Sequence, residues 1–299
     1  MNAIEGIAPV ASEPGLGEPP RAGAGFRAPY VVKLGGSALE HPEALRELAA
    51  DLTALRRVVV VHGGGAEVTD WCERLAIVPR FEGGRRVTDP ATLEVATAVL
   101  AGLANKRLVA ALRAAGLDAV GIAALDGGIA EIAPHAEADV LGAVGEIRAI
   151  HASLLSTLIE RGHVPVVASI GSREGRLLNL NADDLAGALA AGLRARALLM
   201  LSDVEGVSLG GAVVKHLDPA GLAAALANPE VMGGMRPKLA AARAALQGGV
   251  PRVAIAAWAG PGTLFALING RGRGTLLGES RATPPFASTP TEHGSNRHD

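Results

Sequence analysis

The chain has 299 residues, 49% of them hydrophobic, and a formal net charge of −2 at pH 7. That length suffices for one large domain or two lobes with a sizeable core, and the near-zero charge offers neither a basic field for nucleic acid nor an acidic face for a basic partner. Cys72 is the single cysteine, which excludes an internal disulfide and a cysteine-based zinc cluster and fits a reduced, cytoplasmic compartment.

Residues 1–28 are rich in Pro, Gly, Ala and Glu without a sustained period and read as a flexible tail. They lack a charged segment leading into an apolar core, so no secretory signal is expected. Val31 to Leu34 forms the first expected strand, and Leu45, Leu48, Leu52 and Leu55 follow at helical spacing. Val58 to Val61 is a continuous β-branched run, the pattern of a strand buried on both faces. Asp89 before Pro90 supplies an N-cap and a proline at the first helical position, opening a long helix that runs to about Ala115 and stops at Gly116. Ala119 to Ile122 reads as a strand, and Ala130 to Ala133 with Val144 to Ile150 as a small hairpin excursion. Leu154 to Ile159 is expected to be helical, Val164 to Ala168 a strand, Ala182 to Leu193 a helix and Ala197 to Leu201 a strand. A hairpin around Gly210-Gly211, two helices, a strand at Val253 to Ala256 and a last short helix and strand ending at Leu277 complete the series. Such alternation predicts a mostly parallel sheet covered on both faces. Residues 279–299 have no pattern and read as a second tail. No run of about 18 uninterrupted apolar residues is present, so no membrane span is expected.

Of the 28 basic residues only Lys33, Lys106, Lys215 and Lys238 are lysine. An ammonium is a compact point charge that an Arg fork does not replace where a phosphoryl group is approached closely. Lys33 sits in Lys33-Leu34-Gly35-Gly36, a strand entering a glycine turn, and Lys238 follows Gly233-Gly234 at the start of a helical pattern. Gly63-Gly64-Gly65 follows the buried strand and His62, where backbone N–H groups and a helix N-terminus can receive an anion. The chain lacks the Gly-x-x-x-x-Gly-Lys-Ser/Thr loop. Asn179-Leu180-Asn181-Ala182-Asp183 opens a helix, with Asn181 as N-cap and Asp183 held ionised by the helix dipole; taken alone it is simply a well-capped helix. Ser202-Asp203-Val204-Glu205-Gly206 ends a buried strand at its carboxyl edge, where open α/β sheets place ligands.

These motifs, with Arg86-Val87-Thr88-Asp89, Thr92-Leu93-Glu94-Val95, Asn105-Lys106, Asp126-Gly127, Val144-Gly145-Glu146 and Gly234-Met235 through Lys238, resemble the amino acid kinase family from about Val31 to Leu277. Within that family the chain is most similar to the members that act on N-acetyl-L-glutamate. The resemblance implies a three-layer α/β/α sandwich with a mostly parallel central sheet in two lobes, an acceptor lobe at 29–194 and an ATP lobe at 195–278. It implies phosphorylation of the acceptor's side-chain carboxylate, the second step of arginine biosynthesis by the acetylated route, with Mg²⁺ carried in on ATP and no dedicated protein metal site. By the same resemblance, Lys33 and Lys238 stabilise the transferring phosphoryl and Asp183 orients them, while Gly64, Gly65, Arg86 and Asn179 bind the acceptor. Gly35, Gly36, Asp203, Val204, Glu205, Gly206 and Met232 contact the nucleotide. A homodimer is implied, with no nucleic-acid or membrane partner. Pro261 and Ala266 stand where arginine-inhibited relatives carry His and Glu, so an arginine-insensitive enzyme is expected.

The chain departs from the family pattern at Ala66, at Ala123-Ala124-Leu125 and at Arg85, an apolar position in relatives that here is expected to face solvent. All three lie near the acceptor end. A kinase of carrier-bound aminoadipate or glutamate, and a non-catalytic anion binder on the same fold, are the alternatives. The Arg86-Val87-Thr88 run disfavours the first, and retention of Lys33, Lys238 and Asp183 together disfavours the second.

Overall fold

The computed structural model describes residues 27–35 and 42–279. Gly36, and all but the inner ends of the two expected tails, lie outside the described residues. Strand β1 (Tyr30–Leu34) leads to helix α1 (Pro42–Leu55), β2 (Val58–His62) and α2 (Gly65–Arg74). A short hairpin of β3 (Phe81–Glu82) and β4 (Arg85–Arg86) precedes one continuous helical rod: α3 (Pro90–Thr97), a π-helical segment (Ala98–Ala104) and α4 (Asn105–Ala114). Then come β5 (Ala119–Ala123), β6 (Ala130–Pro134), α5 (Ala138–Leu141), β7 (Val144–Ile150), α6 (Ser153–Glu160) and β8 (Val164–Ala168). The hairpin β9 (Ile170–Arg173) and β10 (Arg176–Leu180) runs into α7 (Ala182–Gly192) and β11 (Ala197–Ser202). The remainder is β12 (Ser208–Leu209), β13 (Ala212–Val213), β14 (His216–Leu217), α8 (Pro219–Ala227), α9 (Met235–Gln247), β15 (Val253–Ala257), α10 (Thr263–Ile268) and β16 (Thr275–Leu277).

The main sheet has eight strands in the order β14-β16-β15-β11-β1-β2-β8-β5. Only the β15–β16 pair is antiparallel. Side-chain alternation divides each central strand between two cores. Val31, Val59, Val61, Leu198, Met200, Val253 and Ile255 join α6, α7 and α9 on one face. Tyr30, Val32, Leu34, Val58, Val60, Leu199, Leu201 and Ala254 join α1, α4 and α10 on the other. The result is a three-layer α/β/α sandwich, and the all-apolar strands are those buried on both sides. A second sheet, β6-β7-β10-β9, adds Ile132, Leu178 and Leu180 to the α7 side.

Close packing of α7 on α9 sets the site. A Cβ added at Gly187 would lie 2.7 Å from the Ala241 carbonyl oxygen, so these helices approach backbone to backbone. One turn earlier on each stand Asp183 and Lys238. The rod Pro90–Ala114 is the one helix among the described residues long and apolar enough to cross a membrane by length and composition alone. It also carries Asn105, wholly buried in a polar network, and Leu108 and Leu112, packed against the main sheet.

Candidate active site

Beyond the carboxyl ends of β1 and β2 lies a cavity of about 280 Å³ lined by Lys33, Gly63–Gly65, Arg86, Asn179, Asp183 and Lys238 among others. At its centre is Asp183, 6% exposed, in the first turn of α7. Lys33 Nζ stands 2.9 Å from Asp183 Oδ1, and Lys238 Nζ donates to Asp183 Oδ2 at 3.2 Å. Burial alone would raise the Asp183 carboxyl, yet the charges of Lys33 and Lys238 outweigh it and hold the group below the ordinary carboxylate value. Asn181 caps the helix by accepting from the amides of Asp183 and Asp184 at 2.8 and 3.0 Å, which leaves the Asp183 carboxylate for the lysines. Gly35 makes room for them, because a Cβ there would sit 2.6 Å from Lys33 Nζ and 3.2 Å from the Leu201 carbonyl oxygen.

The acceptor end is built around Arg86. Its Nη2 donates to Gly65 O at 2.7 Å and to Thr69 Oγ1 at 2.6 Å, and its guanidinium lies 4.7 Å from the centre of the Phe81 ring. Its Nη1 is buried without a hydrogen-bond partner among the described residues. A buried cation with an unused donor is suited to an incoming carboxylate. Asn179 Nδ2 donates to Thr88 Oγ1 at 3.1 Å, and that hydroxyl donates to Arg86 O at 3.0 Å, tying β10 to the hairpin. Gly64 admits the π-helical segment closely, since a Cβ there would meet Leu100 Cδ2 at 2.9 Å. A π segment beside a ligand cavity is a recurrent arrangement.

His62 is fully buried, and burial pushes its ring below the ordinary histidine value. Its Nδ1 lies 2.9 Å from Gly63 O and its Nε2 3.0 Å from Asn105 Nδ2. Asn105 Nδ2 also donates to Val166 O at 3.0 Å, and Lys106 Nζ donates to Asn105 Oδ1 at 3.0 Å. The neutral tautomer with hydrogen on Nδ1 satisfies the whole chain. This network holds the glycine loop to α4 and β8.

Lys33, Gly35, Gly64, Gly65, Arg86, Asn179, Asp183 and Lys238 are thus brought to one cavity. Asp203, Val204, Glu205, Gly206 and Met232 are not among its lining residues; Asp203, Val204, Glu205 and Met232 are exposed, and Gly206 is buried against Thr275. Arg85 departs from expectation. It is half-buried and lines the cavity, because the Asp184 carboxylate in the first turn of α7 holds its guanidinium at 2.9 Å. Sequence reading missed Thr69, Phe81 and Leu100. Thr69, four residues beyond Gly65 on the same helix, was the one with a local signal.

Among the described residues, no group of three or more His, Cys, Asp or Glu side chains is placed to hold a metal ion. Two lysines that share a buried carboxylate at the carboxyl edge of a parallel sheet form an arrangement able to neutralise the charge of an anionic ligand. The sequence profile of the amino acid kinase family matches residues 29–257, and the chain belongs to that family. An acetylglutamate kinase of Methanopyrus kandleri is 40% identical over 81% of this chain and 98% of that protein. Another, from Gloeobacter violaceus, is 42% identical over 74% of this chain and 77% of its own length. The structure of N-acetylglutamate synthase from Neisseria gonorrhoeae, solved with coenzyme A and N-acetyl-glutamate, matches with a TM-score of 0.73 at 25% identity, over 85% of this chain and 60% of that one.

Proposed function

We propose that the chain catalyses ATP-dependent phosphorylation of the side-chain carboxylate of N-acetyl-L-glutamate, the acetylglutamate kinase reaction of arginine biosynthesis. One observation carries the mechanism: the Asp183 carboxylate bridges Lys33 and Lys238 within a cavity whose far end holds the unpartnered Arg86 Nη1. An acceptor carboxylate oxygen attacks the γ-phosphorus of ATP, the bond from that phosphorus to the β,γ-bridging oxygen breaks, and ADP leaves with the electron pair. The acceptor has no proton to lose, so no general base is required, and the barrier is lowered by positioning and charge.

In this reading Lys33 and Lys238 face the transferring phosphoryl, and Asp183 fixes both ammoniums so that little reorganisation accompanies charge transfer. Arg86, Asn179 and the Gly64 and Gly65 backbone hold the acceptor. Gly35, Gly36, Asp203, Val204, Glu205, Gly206 and Met232 serve the nucleotide, Gly35 directly after β1, Asp203 to Gly206 directly after β11 and Met232 ahead of α9. Mg²⁺ enters on the ATP phosphates, as suits an ion that keeps most of its waters and substrate oxygens. The acceptor lobe comprises residues 29–194 and the nucleotide lobe 195–278. The enzyme is a cytoplasmic, arginine-insensitive homodimer.

The test is ADP release from ATP and Mg²⁺ with N-acetyl-L-glutamate, glutamate, aspartate or N-acetylaspartate, trapping acyl phosphate with hydroxylamine. Hydroxamate from N-acetyl-L-glutamate alone is expected. Turnover of none of the four would overturn the reading.

A further inference from the structure

We infer that Arg85 and Asp184 form a clasp that holds the β3–β4 hairpin against helix α7, making Arg85 a positioning residue for the acceptor. The kinetic part of this inference rests on the reaction proposed above.

The hairpin needs an anchor. Among the described residues its two strands pair only with each other, over two residues each, and an isolated two-stranded ribbon is marginal in water. Yet it delivers Phe81 and Arg86 to the cavity. Arg85 Nη2 reaches Asp184 Oδ2 at 2.9 Å, joining residues 99 apart in the chain. Their side chains are 24% and 32% exposed, so the pair is shielded more than an open surface bridge, where such contacts contribute little. The turn of the hairpin reaches the other side of the cleft as well. Gly84 takes φ +81°, and a Cβ on it would lie 3.5 Å from the carbonyl oxygen of Gly233, in the loop before α9.

Asp184 has no other assignment in the site. Asn181 already satisfies the first amides of α7, and the neighbouring Asp183 takes both lysines. Paired with Arg85, the Asp184 carboxylate does not add an unbalanced negative charge beside a cavity that must admit an anion. The hairpin's other ties to the body are the Arg86 guanidinium contacts and, just beyond β4 at Thr88, the Asn179 hydrogen bond and backbone bonds to Leu141 O and from the Ala143 amide, so residues 81–85 have the clasp as their side-chain anchor to α7. Releasing the clasp therefore loosens the wall that binds the acceptor, while the Lys33–Asp183–Lys238 arrangement stays intact.

The experiment compares Arg85→Leu, Arg85→Lys, Asp184→Asn, the double variant Arg85→Leu/Asp184→Asn and the exchange variant Arg85→Asp/Asp184→Arg. Arg85→Leu and Asp184→Asn are each expected to raise KM for N-acetyl-L-glutamate about tenfold, with kcat and KM for ATP within about twofold of wild type. The double variant should be no worse than either single one, as for two halves of one contact. Arg85→Lys and the exchange variant should recover most of the loss. Without ligand, amide hydrogen exchange at residues 81–87 should quicken about tenfold in Arg85→Leu and Asp184→Asn while the α7 interior is unchanged. An unaltered KM, a fall in kcat of the same size, or unaltered exchange at 81–87 would overturn the clasp. Should wild-type enzyme give no hydroxamate from N-acetyl-L-glutamate, the proposed function fails instead, and the exchange measurement alone decides the clasp.

Discussion

Replacing Asp183 by Asn keeps the shape of the side chain and removes only its charge, which isolates what the carboxylate does for the two lysines. At 2.9 and 3.2 Å, each ion pair represents about 5–6 kcal/mol of Coulomb attraction at an effective dielectric of about 20. Desolvation of the buried carboxylate offsets much of this, so the net value of the triad is far smaller than the sum. Removal is different from absence. Lys33 and Lys238 have side chains 8% and 13% exposed and would face each other without a counter-charge, a situation that costs about 3–5 kcal/mol. For a domain of this size that corresponds to a fall in Tm of about 6–20 °C. The helix cap is untouched, because Asn181 accepts from the backbone amide of residue 183 whatever its side chain. The lysines, no longer fixed, would meet the phosphoryl group less well, and kcat should fall about 10²–10³-fold, the scale for losing one preorganised electrostatic contact. KM for N-acetyl-L-glutamate should move less than about threefold. Scanning calorimetry and the hydroxamate assay on the same preparation measure both quantities. An Asp183→Asn enzyme with more than a tenth of wild-type kcat and an unchanged Tm would refute the idea that this carboxylate organises the lysines.

Lys33→Ala and Lys238→Ala should each lose about 10²–10³-fold in kcat with circular dichroism unchanged; wild-type-like rates in both would sink the mechanism. Arg86→Ala removes the donor aimed at the acceptor and should raise KM for N-acetyl-L-glutamate about 10–150-fold, the scale of a charged hydrogen bond, with kcat within about threefold. Gly35→Ala puts a methyl 2.6 Å from Lys33 Nζ; steady-state kinetics should show kcat down about 10²-fold at nearly constant Tm, since small misplacements of a reacting group are costly. His62 is depressed by burial and neutral in the fold. The unfolded chain therefore binds the extra proton, and stability present above about pH 6.5 is lost as pH falls. Unfolding free energies from urea titrations at pH 7 and 5.5 should fall less steeply with pH in His62→Gln than in wild type, by up to about 1.4 kcal/mol per pH unit, and an identical pH slope in both would exclude this role.

The central sheet was legible because its strands are apolar on both faces: β8 falls at the expected Val164–Ala168, and β1, β2, β11 and β15 within a residue or two. The rod from Pro90 was legible from the Asp89 cap, whose side chain accepts from the Thr92 amide at 2.8 Å, and from Gly116 at its end. The β9–β10 hairpin was not, because Gly171, Arg173, Arg176 and Asn179 interrupt any alternation and β10 is held by pairing with the distant β7. Catalytic candidates could be found where a rare residue type meets glycine, as at Lys33 and Lys238. Arg85 could not be placed, since its environment is decided by Asp184, 99 residues away. Thr69, Phe81 and Leu100 likewise acquire meaning only once the hairpin and the π segment are folded over the cavity.

The π-helical segment Ala98–Ala104 solves a problem of phase. Val95 and Ala96 ahead of it, with Val99 and Leu100 in its first turn, pack toward Val68 and Cys72 of α2. Downstream, Leu108 and Leu112 pack on the main sheet beside α1. A regular helix advances about 100° per residue, and one widened stretch absorbs a residue without breaking the rod. Deleting a single residue there would turn everything after it by that angle, swinging Leu108, Leu112 and the buried Asn105 away from their partners. The segment behaves as a coupling sleeve between two shafts: the wall of the ligand cavity and the scaffold of the sheet can each change sequence, but they must stay in step through it.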